Sequence, residues 1–287
     1  MISEKLWAHI ASALKISEKL LRTSIVAGGS INDTYRVDAE NRKYFLKIND
    51  DRALKMFELE QKGLALLRQK SVNVPQVYGL VKYQNLGILV MEYLPKGVAL
   101  KSSSEQLGKM MAELHRSSNF HFGLDYDNYM GALPQSNHQH RNWTAFFIQE
   151  RLLPQAKLAV DNRQLAKADL NKIEGLSKII DTIYPEEPVA LVHGDFWGGN
   201  YLITEDGVPY IFDPAVAYSH RETDLAMTLL FGGFDDAFYS GYNAIYPLEK
   251  GWKERATLTN LYPLLIHVNL FGGSYVSQVK AILQQWS

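Results

Sequence analysis

The chain has 287 residues, 46% of them hydrophobic, with 30 basic against 31 acidic side chains and no cysteine. That length and apolar content support a full core spread over two domains, and a net charge of −1 argues against bulk nucleic-acid binding or a polybasic membrane contact. The missing cysteine excludes disulfides, thiolate nucleophiles and cysteine metal sites.

The first residues, Met1 to Trp7, lack the uninterrupted apolar core of a signal peptide. A short leading helix is expected from Ile2 to Leu14. Thr34–Val37 and Tyr44–Ile48 alternate and are rich in β-formers, with a polar turn of Asp38 to Lys43 between them. Ala53 to Arg68 has helical character, with Met56, Glu60, Leu64 and Leu67 on one face. Val77–Leu80 and Leu86–Met91 read as two further strands. Beyond Leu94 the pattern turns helical. Ser102-Ser103-Ser104-Glu105 fits a capping box that opens a helix through Leu107, Met110, Met111 and Leu114. Leu165 to Ile183 reads as one amphipathic helix, ended by Pro185 and Pro188 before the apolar run Val189–Val192. The apolar stretch 258–273 is broken by Asn260, Pro263, His267 and Asn269, so it is no membrane-crossing helix. A soluble, cytoplasmic protein is expected, with an N-terminal lobe of residues 1–91 and a helical lobe of residues 92–287. A small β-rich lobe followed by a larger helical one is the α+β, bilobal protein-kinase-like arrangement.

The segment after Val192 carries the chemistry. His193-Gly194-Asp195-Phe196-Trp197-Gly198-Gly199-Asn200 repeats the H-x-D-x-x-x-x-N spacing of a kinase catalytic loop, in which the Asp accepts the proton of the attacking hydroxyl and the Asn oxygen holds magnesium. Tyr201–Thr204, a turn at Asp206-Gly207 and Val208–Phe212 read as a hairpin, which returns Asp213 to the neighbourhood of Asn200. Asp195, Asn200 and Asp213 then supply oxygen donors for a Mg-nucleotide. His193 is assigned a structural role. Asp224 either caps its helix or accepts hydrogen bonds from the catalytic-loop backbone, and the second is favoured.

In the first lobe Lys47 stands in a strand and Glu60 on an apolar helical face, where a charge needs a partner. Pairing them matches the lysine–glutamate ion pair that orients phosphates in kinases. Glu58 is the other candidate, on a more mixed face. Gly28-Gly29-Ser30 precedes what reads as the first strand of that lobe and is expected to cover the phosphates with backbone N–H groups. Met91-Glu92-Tyr93-Leu94 falls where strands give way to helices and is expected to meet adenine through its backbone. Trp197 is expected beside the substrate, stacking on a sugar or amine. His267 and Asn269 either complete that pocket or satisfy buried backbone.

These runs, together with Met56–Glu60, Phe212-Asp213-Pro214-Ala215, Tyr218 to Met227 and His267 to Tyr275, resemble the fructosamine kinase (ketosamine-3-kinase) family over nearly the whole chain. The H-G-D-x-x-x-x-N core is shared with aminoglycoside phosphotransferases and choline kinases. The Trp-Gly-Gly insert, Asp-Pro-Ala and the His-Arg-Glu-x-Asp-Leu-Ala-Met run point to fructosamine kinases. Phe196 stands where Leu is common. The resemblance implies ATP- and Mg2+-dependent phosphorylation of the sugar O3 of a ketosamine, free or on a glycated protein lysine, by a monomer or weak dimer, in the repair of glycation. The alternatives are a kinase of another small hydroxyl compound and a nucleotide-binding pseudokinase. The helical lobe lacks the acidic runs of an aminoglycoside site, and all four catalytic positions are present.

Overall fold

In a computed structural model of the protein, residues 2–26 and 32–286 are described. They form two compact units, the first taking the chain up to Val98 together with Leu202–Asp213, the second Ala99–Tyr201 and the chain from Pro214. The boundary expected at residue 91 differs from this division in two ways. The observed boundary, after Val98, lies past the end of the sheet, and the hairpin from Leu202 to Asp213 belongs to the first unit because its backbone bonds there: Ile211 N–H donates to Asn73 O at 3.0 Å and Gly97 N–H to Ile203 O at 2.8 Å.

The first unit is built on α1 (Glu4–Leu14), β1 (Leu20–Ile25), β2 (Asp33–Ala39), β3 (Lys43–Asp50), α2 (Leu54–Gln69), β4 (Val77–Tyr83) and β5 (Leu86–Glu92). The strands form one antiparallel sheet in the order β1-β2-β3-β5-β4. Alternation decides what each face of β3 does. Tyr44, Leu46 and Ile48 are buried in a core with Leu6, Trp7 and Ile10 of α1. Lys47, one residue out of phase, projects to the opposite face. On α2, Glu60 is aligned with the buried Phe57, Leu64 and Leu67 at helical three- and four-residue steps. Met56, one of the residues that suggested this face, is only half-buried, and Phe57 is the anchor.

The second unit contains α3 (Lys101–His115), the ribbon β6 (Asn128–Met130) and β7 (Leu133–Gln135), then α4 (Trp143–Phe146), a π-helical turn at Phe147–Leu152 and α5 (Leu153–Asp161). There follow α6 (Lys167–Gly175), α7 (Ser177–Ile183) and β8 (Ala190–Val192), after which the hairpin strands β9 (Tyr201–Ile203) and β10 (Pro209–Ile211) belong to the first unit from Leu202 onward. After β11 (Ala217–Ser219), paired with β8, come α8 (Glu222–Leu230), α9 (Asp236–Ile245), α10 (Trp252–Thr259), α11 (Leu261–Phe271) and α12 (Ser274–Trp286). No helix among the described residues is long and apolar enough to cross a membrane.

Two expectations are corrected here. The helix opening at the serine run begins earlier, with Leu100 as N-cap and no side-chain cap, because Ser104 N–H already donates to Leu100 O at 3.0 Å. Ser102 therefore lies inside the first turn and caps nothing. The helix expected across Leu165 to Ile183 is two helices that meet at Leu176, after Gly175, a residue that weakens helix interiors. Ile173, Leu176 and Ile180 still enter one core, so the periodicity survives the break.

Candidate active site

Gly28, Gly29 and Ser30, expected to cover phosphates, lie outside the described residues. In the first unit, Lys47 Nζ donates to Glu60 Oε1 at 2.7 Å and also to Asp213 Oδ1. Lys47 is buried and Glu60 largely so, whereas the Asp213 side chain is 40% exposed. Burial works to lower the Lys47 pKa and is outweighed by Asp213 and Glu60, which hold it above the ordinary lysine value. Burial raises that of Glu60, with Asp213 adding to the rise and Lys47 opposing it. One buried ammonium thus shares two carboxylates. Glu58 is a surface residue, bound at 3.2 Å to both Lys55 and Lys62 on its own helix.

Asp213 sits in the left-handed region at φ 58°, which side-chain-bearing residues seldom adopt. The hairpin before it closes at Gly207, φ 83°, with Thr204 N–H donating to Val208 O at 3.0 Å. In Met91–Leu94, Met91 is a central sheet residue, while Glu92 N–H donates to Gln76 O at 2.8 Å and Tyr93 N–H to Lys43 O at 3.3 Å.

The second unit holds the candidate catalytic loop, His193 to Asn200. Asn200 Nδ2 donates to the carbonyl of Asp195 at 2.8 Å and to its Oδ2 at 2.9 Å, so the amide clamps the carboxylate. The nitrogen is committed to Asp195, which leaves the amide oxygen as the end able to meet a cation. His193 is fully buried, and its Nδ1 accepts from Asp195 N–H at 3.3 Å. Asp224 accepts from His193 N–H at 2.7 Å and Gly194 N–H at 2.8 Å, which makes it a backbone tether rather than only a helix cap. Gly194 is required at this turn: its φ is +85°, and a Cβ there would stand 2.1 Å from the Ala215 carbonyl oxygen.

Trp197 is 37% exposed, and its ring folds over Gly199, where a Cβ would come within 2.3 Å of it. This close approach accounts for Gly199, whereas at Gly198 a Cβ would stand 2.9 Å from the Gly232 carbonyl oxygen. The Trp197 ring meets Phe231 edge-on at 5.7 Å, and Phe231 meets His267 at 5.1 Å. His267 bonds Pro263 O through Nδ1 at 2.7 Å, and burial lowers its pKa, so it is a neutral imidazole with Nε2 left as acceptor. Asn269 does not join this group. Residues two apart on a helix point about 200° apart, and Asn269 instead ties α11 to α5 by donating to Gln155 O at 2.9 Å and Gln155 Oε1 at 3.0 Å. Of the two roles the sequence left open, this bond is the satisfaction of buried backbone. Phe231, half-exposed between Trp197 and His267, was missed in the sequence because an aromatic at the end of an apolar helix looks like core.

No group of three or more His, Asp or Glu side chains suited to a metal exists among the described residues.

The sequence pattern of the fructosamine kinase family matches residues 2–287. A relative from Enterococcus faecium, named "Probable ketoamine kinase", is 38% identical over 279 residues, covering 96% of this chain and 98% of its own. A solved structure from Haemophilus somnus, named "Putative fructosamine-3-kinase", is similar at a TM-score of 0.88 and 28% identity, over 97% of each chain. A choline kinase of Streptococcus pneumoniae shares the fold alone, with a TM-score of 0.63 and 16% identity. The α+β fold is thus the protein-kinase-like one, and the chain belongs to the fructosamine kinase family.

Proposed function

We propose that the protein transfers the γ-phosphoryl group of ATP to the sugar O3 hydroxyl of a ketosamine. The observation that carries this reading is the Asp195–Asn200 clamp on a loop tethered by Asp224, in a chain of this family. A sugar hydroxyl is a poor nucleophile, so Asp195 orients it and takes its proton as the oxygen bonds to phosphorus and the bond to the ADP oxygen breaks. Lys47, oriented by Glu60, holds the α- and β-phosphates, and Gly28, Gly29 and Ser30 cover them. The backbone of Met91–Leu94 meets adenine. The carbonyl groups and the Leu94 amide do this, since the N–H groups of Glu92 and Tyr93 are given to the sheet and its neighbour.

Asn200 and Asp213 are the residues that would hold Mg2+. The fit rests on donor chemistry: an amide oxygen and a carboxylate are hard ligands, and two acids around one lysine leave negative charge for a cation to offset. When bound, magnesium supplies charge neutralisation on the phosphates. Trp197 and His267 face the acceptor, the indole lying against the sugar and the protonated amine. Free adducts and glycated lysines of proteins both present this group, and phosphorylation at O3 labilises the adduct so that the amine is released. A cytoplasmic monomer or weak dimer fits this role.

The test is ATP consumption with ribose-, erythrose- and fructose-derived adducts, with choline and kanamycin as controls. Turnover confined to the adducts is expected. Turnover of choline or kanamycin alone would replace the reading with that of another small-alcohol kinase.

A further inference from the structure

Asp224 has a third partner besides the two loop amides. His115, the last residue of α3, brings Nε2 to 3.1 Å from Asp224 Oδ2, and its Nδ1 lies 2.8 Å from the hydroxyl of Tyr242 on α9. All three side chains are buried, His115 and Asp224 almost completely. A carboxylate only accepts, so Nε2 carries a hydrogen. Burial holds the Tyr242 pKa above the ordinary tyrosine value, so Tyr242 remains a hydroxyl hydrogen-bonded to Nδ1. The two bonds fix the ring with its Nε2 hydrogen aimed at Asp224.

We propose that His115 is a positioning residue for the reaction, holding Asp224 and through it the His193–Gly194 backbone that presents Asp195. Asp224 Oδ2 is shared between His115 and the His193 amide, while Oδ1 takes the Gly194 amide. Removing the ring donor leaves a buried carboxylate with two donors instead of three, and such an under-bonded acid shifts or takes up a proton. Either response loosens the Gly194 turn. That turn is sterically tight against Ala215, and the next residue is Asp195. A small rotation there displaces the carboxylate, and misplacement on the ångström scale costs on the order of 100-fold in rate. The inference rests on the proton-accepting role given to Asp195, but hydrogen exchange at the tether is independent of any substrate.

The experiment compares H115M, which keeps the volume and removes the donor, with H115Q, whose amide reaches the position of Nε2. In H115M, kcat is expected to fall about 10- to 100-fold with KM for ATP changed less than about threefold, and the amides of His193 and Gly194 to exchange faster. In H115Q, kcat returns to within about threefold of wild type and both amides regain protection. Should H115M not fold, H115N serves in its place, because its shorter amide stops near Nδ1 and cannot reach Asp224. Equal kcat and equal protection in the donor-lacking and donor-keeping variants, with only the melting temperature altered, would assign His115 to helix packing. If wild-type protein phosphorylates no ketosamine, the reading of the reaction fails, and the exchange rates at His193 and Gly194 still decide the tether.

Discussion

Buried ion pairs occur in both units, and they are not alike. In the second unit Arg255 meets Glu222 in a fork, at 2.8 Å and 2.5 Å, and Arg221 meets Glu187 at 3.0, 2.9 and 2.5 Å. Each pairs one cation with one carboxylate, and the remaining guanidinium hydrogens go to backbone carbonyls, Lys250 O for Arg255 and Tyr246 O and Pro247 O for Arg221. Charge and hydrogen bonds close within the pair. In the first unit one lysine serves two acids, one of them 40% exposed at a left-handed residue. A closed pair fixes the packing of helices. A pair with surplus acid keeps a ligand-binding capacity, at the cost of a buried carboxylate whose pKa is pushed up. The comparison predicts that mutations in the two kinds of site separate into losses of rate and losses of stability.

The largest rate effect is expected at Asp195, the proposed proton acceptor. Asp195→Asn should lower kcat about 10²- to 10⁴-fold with ATP binding and melting temperature near wild type, because the amide cannot take the proton. Near-full activity on every acceptor would remove Asp195 from its role. The counterpart in the closed network is Arg255→Met, which strands Glu222 in the core. It should cost about 3–5 kcal/mol in urea unfolding while kcat per folded molecule stays close to wild type. If Arg255→Met instead kept full stability and lost turnover, the distinction between open and closed pairs would collapse.

Acid separates the regions by another route. His220 lies in the closed network, 3.5 Å from Glu187, and burial lowers its pKa to about 4 from the ordinary 6.5. The unfolded chain takes up that proton near pH 6.5 and the folded chain does not. Stability from this group is therefore complete above about pH 6.5 and declines as pH falls toward 4. The expected loss between pH 7.5 and 4.5 is about 2–3 kcal/mol, seen as a slope in the urea midpoint that His220→Gln flattens. An identical slope in both proteins would show that other groups dominate.

Within the open cluster, Glu60→Gln should reduce activity about 10- to 100-fold, the worth of a charge-assisted bond to Lys47, while Glu58→Gln is nearly silent. The reverse ranking would contradict the observed pairing. The smallest effect is expected at the exposed end of the aromatic row. Trp197→Ala should raise KM for ketosamines about 2- to 30-fold, the range of a cation–π contact, with KM for ATP little changed. An equal rise for both substrates would make the indole a packing residue.

The catalytic segment was legible before any fold was known because its information is local. The five-residue interval from Asp195 to Asn200 and the Asp206-Gly207 turn before Asp213 are properties of neighbouring residues. So is the two-residue alternation that turns Lys47 away from Tyr44, Leu46 and Ile48. Helical spacing selected Glu60 over Glu58 for the same reason. Where local signals compete, the sequence misled: the serine run resembles a cap, yet the helix begins at the turn before it, and Gly175 breaks a periodic stretch that otherwise continues. Asn269 stayed undecided, since a polar residue in an apolar helix declares a need for a partner without saying which. Only tertiary structure assigned that partner to Gln155, brought Phe231 between Trp197 and His267, and set His115 against Asp224, 109 residues away in the chain. Periodicity marks which side chains are buried. Which buried polar groups meet depends on how helices from distant parts of the chain pack, and no local pattern encodes that.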